Sequence, residues 1–136
     1  MGYKAITLSF LLLFAAGCAT KAPSPSVVTV KETAVYAAVS KDFVKFLKKS
    51  YLPAKTVFYL QKGTDSFGKS LANELIKAGY GVSFLKKRGS IPVAYTLDYF
   101  QDRIRVTYTL GDKAVTRLYD KTAKPLTGFA VGGKYE

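Results

Sequence analysis

Cys18 is the only cysteine in the chain, and neither histidine nor tryptophan occurs in its 136 residues. Zinc sites and Cys/His nucleophile pairs are therefore excluded, because they need imidazoles or several thiolates. A lone thiol has a narrower chemistry. It cannot close an intramolecular disulfide, so in an oxidising compartment it remains a stray reactive group unless something caps it. Three small residues, Ala15, Ala16 and Gly17, stand directly before it. They leave room at the Gly17–Cys18 bond for a peptidase, while the sulfur is free to carry lipid.

The remaining groups with reactive chemistry are carboxylates and one glycine-bearing string. Asp65, Glu74, Asp102, Asp112 and Asp120 fall at expected turns or helix surfaces, where capping accounts for them. Asp98 is the exception, lying between Leu97 and Tyr99 in a strand-like run, and it is expected on the solvent face of a half-buried sheet. The string Gly63 to Ser70 ends in Gly68-Lys69-Ser70 and is similar to a phosphate loop. It is set aside on its glycine spacing, and because the expected antiparallel fold lacks the parallel sheet that usually supports such a loop. The sequence reading is of a protein with no catalytic residues, no metal and no small-molecule substrate.

The start of the chain gives the thiol its context. Lys4 supplies one positive charge, an apolar run follows from Ala5 to Ala16, and then come Gly17 and Cys18, the layout of a secretory signal. The run is shorter than the roughly 20 apolar residues that span a hydrocarbon core. Ala15-Ala16-Gly17-Cys18 resembles the bacterial lipobox, with Ala15 where leucine is commoner. Cleavage before Cys18 is expected, with covalent diacylglycerol and acyl lipid on that residue and no other cofactor. One acyl chain anchors only marginally, at about 0.8 kcal/mol per buried methylene, and a second makes the attachment durable. Ala19, rather than an aspartate, follows the cysteine; in a Gram-negative cell this points to the outer membrane, with the domain lipid-anchored and facing the periplasm.

Residues 1–17 are thus read as a lipoprotein signal peptide, 18–30 as a lipidated N-terminus and tether, and 31–136 as a single periplasmic domain. The tether has two prolines and no helical period; polyproline geometry advances about 3.1 Å per residue, enough to hold a domain a few tens of ångströms from a bilayer. Within the domain, Val35, Val39, Phe43, Phe46 and Leu47 recur at helical spacing, predicting an amphipathic helix between Lys31 and Ser50 that is ended by Pro53. Lys55 to Gln61 reads as a strand. Phe67, Leu71, Leu75 and Ala78 predict a second helix, capped by Thr64 or Asp65 and stopped at Gly79. Tyr80 to Lys87 reads as another strand. Three alternating runs, 91–101, 103–110 and 113–120, predict an antiparallel meander turning at Gln101-Asp102 and Gly111-Asp112, and the tail could add an edge strand around Phe129 to Val131. The sum is an α+β sandwich, αβαβββ, with two helices on a mainly antiparallel sheet of about five strands.

Lys and Arg number 21 against 9 Asp and Glu, for a net charge of +12, which suits an anionic partner: headgroups, cell wall, an acidic protein face or nucleic acid. Lys45, Lys48 and Lys49 fall away from the apolar stripe of the first helix, as Lys41 does, and form a candidate partner-contact surface. Arg103, Arg105, Tyr108, Arg117 and Tyr119 approach the basic-aromatic mixture of a nucleic-acid platform. Strand tyrosines usually pack cores, and an exported domain meets DNA only along a transfer path, which argues against direct nucleic-acid binding.

Five strings carry a family resemblance: Tyr51 to Thr56, Asp65 to Leu71, Lys77 to Val82, Ile91 to Asp98 and Ala114 to Tyr119. With the lipobox, their order and spacing resemble the conjugal transfer lipoprotein TrbH family of type IV secretion systems. The tail differs, since Phe129-Ala130-Val131-Gly132-Gly133 stands where the family has an aromatic residue followed by basic ones. The resemblance implies a non-enzymatic structural or assembly factor of the mating-pair apparatus, tethered to the outer membrane and partnered by other proteins of the transfer core complex. The alternative from another class is a lipoprotein that activates a cell-wall enzyme or pilots a secretin.

Overall fold

The computed structural model describes residues 26–61 and 64–132. The expected signal peptide, the Gly17–Cys18 bond and the expected lipid site on Cys18 lie outside the described residues. Two helices, α1 (Ala34–Leu47) and α2 (Ser66–Lys77), pack on one face of a seven-stranded mixed sheet. The strands are β1 (Val27–Val28), β2 (Val57–Leu60), β3 (Gly81–Ser83), β4 (Ile91–Phe100), β5 (Arg103–Leu110), β6 (Lys113–Tyr119) and β7 (Ala130–Gly132). Their order is β3-β2-β4-β5-β6-β7, with β1 paired to β4.

The α+β class and the two helices match the sequence expectation, while the sheet has two more strands than expected and a parallel half. β2 runs parallel to both β3 and β4, and β1 is also parallel to β4; the pairs from β4 through β7 are antiparallel. Because β5 occupies one edge of β4 from Val93 to Phe100, β2 and β1 share the other edge end to end, at Ile91–Val93 and Thr96–Leu97. Ser26 bridges the gap. Its hydroxyl accepts from the Tyr95 amide at 3.1 Å and donates to the Gln61 carbonyl at 3.3 Å. Residues 26–30, expected as the end of a tether, are therefore part of the fold: Val30 is fully buried, and its carbonyl accepts from the Tyr36 hydroxyl.

The β4–β5–β6 register explains the core. Val93 faces Leu110, Tyr95 faces Tyr108 and Leu97 faces Val106, while Tyr108 and Ile104 in turn face Val115 and Tyr119. With side chains alternating across the pleat, all of these fall on the helix-covered face, and all are buried. From α1, Val35, Val39, Phe43 and Leu47 enter the core, and from α2 Phe67, Leu71 and Leu75 do so. The Phe43 ring stacks on Tyr108 with centroids 3.5 Å apart, and Phe67 meets Tyr95 edge-on.

Local chemistry sets the element ends. α1 stops at Leu47, where its buried stripe runs out, six residues before Pro53; Pro53 instead opens a short 3₁₀ turn, Pro53–Lys55. α2 closes in a Schellman arrangement, with Tyr80 N–H bonding the Leu75 carbonyl and Gly79 N–H the Ile76 carbonyl. Gly79 sits at φ +96°, where a side chain would be strained. β3 ends at Ser83 rather than near Lys87, because the Ser83 hydroxyl bonds both the amide and the carbonyl of Leu85 and curls the chain off the sheet. Of the two hairpins, β5–β6 turns at Gly111 with φ +59°, and β4–β5 turns at Gln101, which holds φ 59° without glycine's freedom.

Candidate functional site

The carboxylates are the groups that could do acid–base work. Asp98 faces Arg105 across β4 and β5, and the guanidinium donates to both oxygens at 3.0 and 2.8 Å. The pair lies on the sheet face away from the helices, as expected. Glu74 meets Lys77 one turn along α2, at 3.4 Å. Asp120 accepts from the Thr122 hydroxyl and amide and from the Lys124 amide. The Thr122 hydroxyl foremost, then the Lys124 amide, holds this carboxyl below its usual range. Asp102 and Asp112 are exposed on the hairpin turns.

Asp65 caps α2 by accepting from the Gly68 amide at 2.8 Å, and its second oxygen accepts from the Tyr95 hydroxyl at 2.8 Å. The Gly63–Ser70 string fits the phosphate-loop pattern better than the sequence expectation had it. Gly63 stands five positions before Gly68, as the phosphate-loop pattern requires, and α2 follows a strand that is parallel to both its neighbours. Neither spacing nor sheet direction sets the string aside. Asp65 does occupy one donor there: its side-chain oxygen takes the Gly68 amide at the start of α2, where a phosphate would need free N–H groups.

Sequence reasoning missed two carboxylates that the fold uses, Glu32, which accepts from the Tyr99 hydroxyl, and Asp42. One Asp42 oxygen accepts from Arg117 Nη1 at 2.6 Å and from the Tyr119 hydroxyl at 2.5 Å. Arg117 also donates through Nε to the Thr127 carbonyl and lies over the Phe129 ring, 4.6 Å from its centroid. One guanidinium thus fastens α1, β6 and the tail together. A signal was available in that Arg117 and Tyr119 fall on the same face of one strand, and Asp42 borders the apolar stripe of α1.

The tyrosines in this layer are all held in their neutral form. Burial foremost, then hydrogen bonding to a carboxylate, pushes the Tyr95 and Tyr119 hydroxyls far above their usual range. Burial does the same to Tyr108, whose hydroxyl has no hydrogen-bond partner among the described residues.

The basic residues divide in two. The nucleic-acid mixture is taken apart by strand parity: Tyr108 and Tyr119 are buried on the helix-covered side, Arg117 is bound to Asp42, and Arg105 is paired on the opposite face. The lysines in and just after α1 do cluster. Lys45 and Lys48 border a hollow with Lys41, Lys77 and Glu74, while Lys45 and Lys49 border a second one with Phe46, Arg117 and Phe129. Among the described residues none of these four lysines, 41, 45, 48 and 49, joins a salt bridge, and all four are exposed. A third hollow, about 380 Å³, lies on the sheet's other face beneath the β3–β4 loop, lined by Tyr59, Gln61, Lys86, Lys87 and Thr109 among others.

Among the described residues no three metal-ligating side chains gather, and no helix is long and apolar enough to cross a membrane. No curated protein and no solved structure matches the chain. The family model described as conjugal transfer protein TrbH matches residues 19–132, which take in every element of the fold.

Proposed function

The chain belongs to the conjugal transfer protein TrbH family, and from that premise we propose that it is a non-enzymatic component of the transfer apparatus. It acts as a structural or assembly factor, anchored to the outer membrane through lipid on Cys18 and facing the periplasm. The observation that carries this reading is how the polar groups are used. Asp42, Asp65 and Asp98 each join one element to another, whereas the lysines of the first helix stay on the surface. A general acid or base works best with a pKa near the operating pH, and the buried tyrosines are displaced away from it. The exposed cations suit an acidic face on another protein of the core complex, with Lys45 at the centre because it borders both hollows.

Complementation of a deletion strain tests the reading. Transfer should be restored by the wild-type chain and by Lys69→Ala and Asp98→Asn. It should fail with Cys18→Ser, which cannot receive diacylglycerol and should lose palmitate label. Reversing Lys45, Lys48 and Lys49 to glutamate should reduce transfer while leaving folding and localisation unchanged. A folded, correctly localised Lys69→Ala or Asp98→Asn protein that loses all transfer would replace the scaffold with a chemical or nucleotide-binding role.

A further inference from the structure

We propose that the loop after β3, Phe84 to Arg88, is a second membrane contact that lays the domain against anionic phospholipid beside its own anchor; this rests on the lipid-anchor reading above. Phe84 is 44% and Leu85 78% exposed, and three cations follow them directly, Lys86, Lys87 and Arg88, all exposed. Two adjacent apolar side chains next to clustered positive charge match the needs of a bilayer surface, where apolar groups enter the interface and cations meet headgroup phosphates. The loop is shaped for display. Ser83 curls the chain outward through Leu85, and the Ser90 hydroxyl and amide both bond the Lys87 carbonyl.

Its position selects lipid over an acidic protein. The Ser26 hydroxyl donates to the Gln61 carbonyl, and Gln61 lines the same hollow as Lys86 and Lys87. The chain from the anchor therefore enters the fold beside the loop. Cys18 lies eight residues before Ser26, a span of at most about 28 Å when fully extended. A tether this short keeps the loop at high effective concentration near the bilayer, so a weak intrinsic affinity is enough. Five residues also offer little area for a protein interface, which ordinarily buries about 800 Å² per partner, while a lipid surface requires no shape match.

The absence of tryptophan makes the test clean, because Phe84→Trp introduces the only indole. In lipidated full-length protein reconstituted into phosphatidylglycerol-containing vesicles with brominated acyl chains, its emission should shift to the blue and be quenched. Reversing Lys86, Lys87 and Arg88 to glutamate should abolish the quenching, with circular dichroism unchanged. Ile76→Trp, on the exposed side of α2, should not be quenched. When Phe84→Trp is combined with Cys18→Ser, vesicle affinity read from the quenching should fall by about tenfold or more and become salt-sensitive.

Palmitate-labelled Phe84→Trp protein whose indole is unquenched overturns the loop contact while the anchor stands, and points to a protein at this surface. Equal quenching of the indoles at positions 76 and 84 also overturns it. Loss of the anchor reading looks different: without palmitate label on Cys18, and with the Phe84→Trp indole quenched equally in the Cys18→Ser chain, the loop alone would hold the membrane.

Discussion

The two faces of the sheet use the same strands and solve opposite problems. On the face beneath the helices, Tyr95, Tyr108 and Tyr119 are buried with Leu97 and Val106, and carboxylates from outside the sheet, Asp65 and Asp42, reach in to satisfy two of the three hydroxyls. On the other face Asp98 and Arg105 satisfy each other across neighbouring strands, and Thr107 and Thr116 share a hydrogen bond. A polar group on the covered face depends on a partner far along the chain. One on the open face depends on its register neighbour, with water as a substitute.

High pH should break the covered face most completely. Unfolded tyrosine releases its proton near pH 10, whereas burial holds Tyr95, Tyr108 and Tyr119 protonated well above that. Their contribution to stability is therefore fully present below pH 10 and is lost as pH rises past it. Absorbance near 295 nm should show exposed tyrosines ionising first and a second group ionising only with the loss of circular dichroism.

Phe43→Ala removes the ring stacked on Tyr108 and should cost about 3–5 kcal/mol in urea denaturation, through lost transfer energy and a cavity. Asp42→Ala should cost about 1.5–3 kcal/mol, the range for hydrogen bonds to charged groups; hydrogen exchange in β7 should quicken at the same time, since Arg117 would no longer be held between α1 and the tail. Tyr108→Phe goes the other way. Deleting a buried hydroxyl that has no partner among the described residues should raise stability by about 1 kcal/mol. The smallest effect is on the open face, where Asp98→Asn should change stability by less than about 1 kcal/mol. If Asp98→Asn cost as much as Asp42→Ala, the contrast between the faces would not hold.

How much was legible in the sequence follows from the range over which each signal acts. The helices and the meander repeat their pattern locally, so Val35 to Leu47, Phe67 to Leu75 and 91–119 could be read directly, as could the exposure of Lys45, Lys48 and Lys49. β1 could not: two valines carry no period, and their partners Thr96 and Leu97 lie 69 residues away. The shortness of β3 depends on a serine side chain competing with the ladder. Asp42 was invisible for the same reason as β1, because Arg117 and Tyr119 are 75 and 77 positions distant. The grouping of Arg105 with Arg117 failed on parity, which only the register decides. The phosphate-like string shows the converse, since its spacing and the strand before α2 both fit while a capping carboxylate occupies one donor at the helix start.

Ser26 and β1 also define a path for force. Tension arriving along the residues before Ser26 enters the fold through a hydroxyl bridge and a two-residue strand, then through Thr29 N–H on the Leu97 carbonyl and the Tyr36 hydroxyl on Val30. Because β1 lies alongside β4, the longest strand, the load passes into the middle of the sheet rather than to its edges at β3 or β7. The first event under a steady pull would be release of residues 26–30, about 17 Å of extra reach at 3.3–3.6 Å per residue, with the helices and meander still folded. A domain loaded through its N-terminal residues would thus carry its own short, re-formable extension.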